Sequence, residues 1–253
     1  MTCIAVSAGS LSTGTWKRHG KDLKAGRKGR GMTKIPFRAT KNWENVNLAR
    51  YPGNGSYEIP RMAPCKCVDV DRWVPFNAAM SVPKEERSRT GVHFWVDDYQ
   101  FLRTWTHPDR YMRMLREFGA VCSPDFSVYT DFPVAMKIWN VYRNAWLGCY
   151  WQEMGVNVVP TAMWTSPDQP YVWDGYPMYS IMAVSSVGSL KKAQDRENFV
   201  QGYQCMLDQL HPKEILFYGT VPEECGGRIT RIESFQSRFD RLREQKRKGQ
   251  DLS

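Results

Sequence analysis

From residue 91 onward, short apolar runs alternate with longer amphipathic stretches. Val92-His93-Phe94-Trp95-Val96 is rich in aromatic and β-branched residues, ends in Asp97-Asp98, and predicts a buried strand. Pro108-Asp109 opens a helix through Tyr111, Met114, Leu115 and Phe118 that stops at Gly119. Proline at the start and glycine past the end are the usual helix asymmetry. Ala120-Val121-Cys122-Ser123 predicts a second strand that delivers Pro124-Asp125-Phe126-Ser127 at its end. Pro133 begins a helix striped by Val134, Ile138, Val141, Ala145 and Cys149 and closing at Gly155. Val156 to Trp164 predicts a third strand and Tyr179 to Ser185 a fourth. A helix marked by Phe199, Tyr203, Met206, Leu207 and Leu210 follows, then strand Ile215 to Tyr218 ending at Gly219. This alternation predicts an α/β fold of βα units around a mostly parallel sheet. Its form is an open doubly wound sheet or a partial (β/α) barrel, and polar residues recurring at strand C-termini favour the barrel.

The flanks differ. Residues 33–90 carry Pro36, Pro52, Pro60, Pro64, Pro75 and Pro83, which forbid long helices and predict an irregular region with short strands. Together with the βα core (91–220) they make a single domain over 33–227. In 228–253, Ile232, Phe235, Phe239 and Leu242 recur at helical spacing before a basic end, predicting a basic amphipathic helix and tail. Such a helix either packs back on its own domain or offers Phe235, Phe239 and Leu242 to a partner's groove.

Charge sharpens the picture once it is located. The chain's net charge is +9, yet residues 1–50 hold 11 basic and 2 acidic residues, while 51–227 hold 16 and 20. Residues 1–32 therefore read as a flexible basic arm, or as an extension upstream of a start at Met32. A slightly acidic body argues against a DNA-binding surface built into the fold, leaving the basic ends as helpers to a protein partner. The seven cysteines are odd in number and scattered, which predicts free thiols in a reducing compartment. No apolar stretch is long enough to span a membrane and the N-terminus lacks a secretory pattern, so a cytoplasmic protein is expected.

Candidate chemistry collects at the predicted strand ends, where α/β proteins bind ligands. Asp97, Asp98 and Asp125 could perform acid/base work, with Ser127 and Ser185 nearby in the same class of position. As structural elements the same aspartates would cap helices or turns. Tyr142, Arg143 and Gln152 on the 133–153 helix are further candidates, since aromatics beside arginine can stack bases, although such aromatics also serve as core. Cys65-Lys66-Cys67 lacks a second pair, the histidines stand alone, and no Walker loop is present, so neither metal nor cofactor is expected.

The stretch Gly91–Gly219 resembles a phage and prophage protein family catalogued as a domain of unknown function. The matching residues are Phe94-Trp95-Val96-Asp97-Asp98-Tyr99, Trp105 with Pro108, Ser123-Pro124-Asp125-Phe126-Ser127-Val128-Tyr129, Pro133, Trp139-Asn140 and Tyr142-Arg143. They continue with Trp151-Gln152, Val159-Pro160 with Trp164, Ser185-Ser186-Val187-Gly188, Phe199 with Gly202-Tyr203, and Tyr218-Gly219. The resemblance implies a recombination directionality factor, because some members in temperate phages play that part for large serine integrases. Such a factor would bind the zinc-domain coiled-coil arms of an integrase on att-site DNA. It would switch the integrase from attP × attB integration to attL × attR excision without catalysis. An α/β enzyme acting on a nucleotide or nucleic acid through strand-end carboxylates is the other expectation.

Overall fold

The computed structural model describes residues 51, 53–165 and 169–233. An antiparallel pair comes first, β1 (Gly53–Asn54) with β2 (Ile59–Pro60). The parallel strands are β3 (Arg72–Pro75), β4 (Thr90–His93), β5 (Ala120–Cys122), β6 (Val158–Val159), β7 (Ile181–Ser185), β8 (Glu214–Tyr218) and β9 (Ile229–Ile232). One sheet has the order β3-β4-β5-β6 and the other β7-β8-β9. A parallel bridge between Thr161 and Ala183 stitches them together, with Ala162 N–H donating to Ala183 O and Ala183 N–H to Pro160 O, both at 2.8 Å.

The strands thus follow one another in chain order without reversal. That is the order of a partial (β/α) barrel, whereas a doubly wound sheet reverses at a switch point. No pairing joins β9 to β3 among the described residues, so the barrel is not closed. One sheet face gathers Ala120, Cys122, Val159, Ile181, Ala183, Leu216, Tyr218 and Ile232 around Cys65, with Trp73 and Trp95 packed against them. At the strand ends of this face His93, Trp95 and Tyr218 stack on one another with centroids 4.7–4.9 Å apart. Burial pushes the His93 pKa down to about 3, so the ring is neutral at physiological pH.

The opposite face takes the helices. Phe94 stacks on Phe76 at 5.0 Å and on Trp151 at 5.4 Å, and Phe217 meets Phe199 and Tyr203, each at 6.1 Å. Each large side chain buried this way contributes about 1.5–3 kcal/mol. The helices are α1 (Phe76–Ala79), α2 (Lys84–Arg87), α3 (Asp98–Phe101), α4 (Arg103–Thr106), α5 (Pro108–Leu115), α6 (Val134–Glu153) and α7 (Ala193–Leu210).

Several boundaries differ from expectation: the first predicted strand runs over Thr90–His93 and stops short of Val96, and the third shortens to Val158–Val159. The core begins at β3, inside the proline-rich stretch expected to be irregular, because Arg72–Pro75 pairs in register with Thr90–His93. The segment expected to start a helix at 228 starts instead with β9, whose Ile232 enters the sheet core. On α6 the stripe holds only from Val141 onward; Val134 is exposed and Ile138 half-buried, while Lys137, Asn140 and Asn144 are buried. The basic arm at 1–32 and the partner-binding candidates Phe235, Phe239 and Leu242 lie outside the described residues.

Candidate functional site

A cavity of about 370 Å³ opens where the strands end. Its wall takes Asp97 from the turn after β4, Asp125 and Ser127 from the loop after β5, and Trp164 from the segment after β6. Ser185 and Gly188 border it after β7, and Asp195 closes it from the first turn of α7.

Local sequence explains how the β5 loop is held. Pro124 interrupts the strand, and α6 turns two buried asparagines toward the loop's backbone. Asn144 accepts from Phe126 N–H at 2.9 Å and donates to Phe126 C=O at 3.2 Å. Asn140 donates to Ser127 C=O, and buried Lys137 donates through Nζ to Thr130 C=O at 2.9 Å. These backbone groups would otherwise be costly to bury. Asp98, the first residue of α3, accepts from Ser127 N–H at 3.1 Å and from Ser127 Oγ at 2.8 Å.

The predicted residues therefore separate. Asp97, Asp125, Ser127 and Ser185 share the cavity. Asp97 is exposed at the position before α3 and makes no capping bond. Asp98 pins the β5 loop. Asp125 is half-buried on the cavity wall, and burial, then the neighbouring Asp98, holds its pKa well above the usual carboxylate range. Arg143 lies behind the loop, its guanidinium 3.5 Å from the Phe126 ring centroid and its Nε donating to Asn140 Oδ1 at 3.0 Å. Desolvation depresses its pKa to about 10, opposed by Asp98.

Tyr142 stacks on Trp139 at 5.8 Å, outside the cavity wall. Gln152 is remote from the cavity: its side chain grips Ala63, accepting from N–H at 2.8 Å and donating to C=O at 2.7 Å. Both are placed by α6 as structure, because a 20-residue helix cannot turn all its polar residues toward one end of the sheet.

Sequence reasoning missed Trp95, Asp195, Asn198 and Phe199 as residues of the cavity wall. Trp164 reaches the wall because Gly202 leaves room on α7; a Cβ there would lie 2.0 Å from the indole Nε1. The signal for α7 was Gly188, whose φ of +87° marks a turn between a strand and a helix. Among the described residues no group of three or more His, Cys, Asp or Glu is placed to hold a metal ion, and no helix is long and apolar enough to cross a membrane.

Strands in chain order, helices on one face and a cavity at the strand ends define an α/β protein of the open (β/α) type with its site in the usual place. The family described as Domain of unknown function (DUF4417) matches residues 51–236, and the chain belongs to it. The chain is also 33% identical over 198 residues to the Gene 1 protein of Mycobacterium phage L5, covering 76% of this chain and 84% of that one. It is 35% identical over 201 residues to the Gene 1 protein of Mycobacterium phage D29, covering 77% and 72%. No solved structure matches. The relatives establish a phage-associated family, as the sequence resemblance implied.

Proposed function

We propose that this protein is a recombination directionality factor that binds a large serine integrase and turns it from attP × attB integration to attL × attR excision. The observation that supports this reading is a convergence on one edge of the sheet. The segments carrying the family resemblance, Phe94–Tyr99, Ser123–Tyr129 and Ser185–Gly188, all leave the C-terminal ends of strands. Apolar side chains stand in solvent on the same segments: Tyr99 is 76% exposed, Val187 63% and Tyr129 59%. An exposed apolar edge of this kind suits a protein interface whose energy rests on a few aromatics.

The factor acts by binding one arrangement of the integrase's coiled-coil arms more tightly than the other. Turning a 1:99 preference into 99:1 takes about 5.5 kcal/mol of differential binding, which a few buried aromatics can provide. The chain added to its cognate integrase with attL and attR DNA should yield attP and attB products. Absence of both product and integrase binding would overturn the reading.

The half-buried carboxyl of Asp125, whose pKa is raised by burial and by Asp98 on the cavity wall, favours a second reading, an enzyme with its reaction in the cavity. Among the described residues the lining contains no Lys or Arg, so the phosphates of a nucleotide substrate would meet no counter-charge from them. Asp125→Asn separates the two readings. A directionality factor keeps its effect on recombination, and an enzyme loses turnover.

A further inference from the structure

We infer that the strand-end cavity is the socket for one aromatic side chain of a protein partner, carried on a segment with lysine or arginine beside it. The inference rests on the integrase reading and deepens it, since it names what the integrase places against this edge. At about 370 Å³ the cavity stands at the small end of the range for ligand pockets, ~300–1,000 Å³, a size that suits a single anchoring group. Two of its wall residues, Tyr129 and Val187, also stand in solvent, 59% and 63% exposed. A free small molecule filling the cavity would leave both largely in water. A polypeptide anchored in the cavity covers them together, and the covered rim then keeps water from the anchor.

The rings of the wall are held by their own neighbours before anything binds. Trp164 Nε1 donates to Phe199 C=O at 3.2 Å, the two rings lie 5.3 Å apart, and Trp164 also packs on Trp173 at 5.8 Å. Trp95 is stacked on Tyr218 at 4.7 Å and on His93 at 4.9 Å. Such preorganisation lowers the ordering cost of binding. Aromatic walls favour an aromatic guest through offset and edge contacts, and interface hot spots tend to pair with hot spots on the partner. Charge indicates what flanks the guest. Asp97 is exposed and Asp195 half-buried on the wall, while no Lys or Arg lies among its described residues. Of the basic residues around the start of α7, Arg196 pairs with Glu224 at 2.8 Å, and Lys191 and Lys192 stand outside the wall. The cavity mouth is therefore complementary to lysine or arginine on the partner, an attraction that speeds and orients docking more than it tightens it.

The full chain is titrated against the labelled large serine integrase encoded in the same phage genome, by fluorescence anisotropy at about 50 mM and about 200 mM salt. The same proteins are assayed for attL × attR recombination. Thr165→Trp fills the cavity from a half-buried position on its wall, and Asp97→Lys reverses an exposed charge that makes no capping bond. Thr165→Trp should weaken integrase binding about tenfold or more at both salt concentrations. Asp97→Lys should weaken it about threefold at the lower salt and less at the higher, because screening hides a rim charge but not a filled socket. Where Thr165→Trp melts below the wild type, Asp97→Lys carries the test. A wild type that drives excision, with either correctly folded variant binding the integrase as tightly, overturns the socket and leaves the integrase reading standing. A wild type that neither binds the integrase nor promotes excision overturns both.

Discussion

The loops after β5 and β7 both border the cavity, and they are held in opposite ways. The β5 loop is fastened from outside by Asn140, Asn144 and Lys137 of α6 and by Asp98 of α3. The β7 loop is bonded mostly to itself and to the neighbouring strand end. Val187 N–H donates to Ser185 Oγ at 3.2 Å, Ser189 N–H to Ser186 O at 3.1 Å, and Ser186 reaches Tyr218 O and Thr220 O. A Cβ at Gly188 would meet nothing within 4 Å. One wall is therefore preorganised by helix side chains, and the other can adjust to what binds.

The contrast can be broken most forcefully at Asn144. Asn144→Ala orphans both backbone groups of Phe126 and should lower stability by about 2–4 kcal/mol, read as a reduced urea midpoint at unchanged slope. Asp98→Ala removes the charge-assisted bonds to Ser127 and should lower it by about 2 kcal/mol. Gly188→Ala meets no steric obstacle but must hold a left-handed φ, so a loss of about 1 kcal/mol is expected. A Gly188 variant as damaging as the Asn144 variant would erase the distinction between the loops.

Asp125→Asn should act with the opposite sign. In the folded protein the Asp125 carboxyl keeps its proton to a higher pH than in the unfolded chain. As pH rises above the unfolded value of about 3.9, the unfolded chain releases that proton first, so stability falls until the folded pKa is passed. The variant should therefore melt at or above the wild-type temperature at neutral pH, with the gain vanishing below about pH 3.9. A gain that persists in acid would show that the charge is not its cause.

Much of this was legible in the sequence. Pro108, Pro133, Gly119 and Gly155 punctuate the helices, and acids and serines stand at the strand ends where the cavity opens. Short strands were expected among the prolines around β3 but not its place in the core sheet, and β9 was hidden because Ile232 also fits the helical spacing of Phe235 and Phe239. Asn140 and Asn144 carry no signal of their role in the spacing of α6, yet they hold the β5 loop. Asp195 and Asn198 carry no local signal, since nothing in their neighbours shows that the first turn of α7 lies over the strand ends. Tyr142 and Gln152 were candidates because aromatics beside arginine can stack bases, and register on α6 places them outside the cavity wall.

The integrase reading rests on the exposed strand-end edge, so the most direct measurement compares wild type with a Tyr129→Ser, Val187→Ser variant in the attL × attR reaction of the cognate integrase. The wild type should drive excision. The variant should lose most of that effect while its melting temperature stays close to wild type, because both side chains are exposed. A wild-type chain that leaves attL and attR unrecombined, or a variant that promotes excision equally well, would contradict the account.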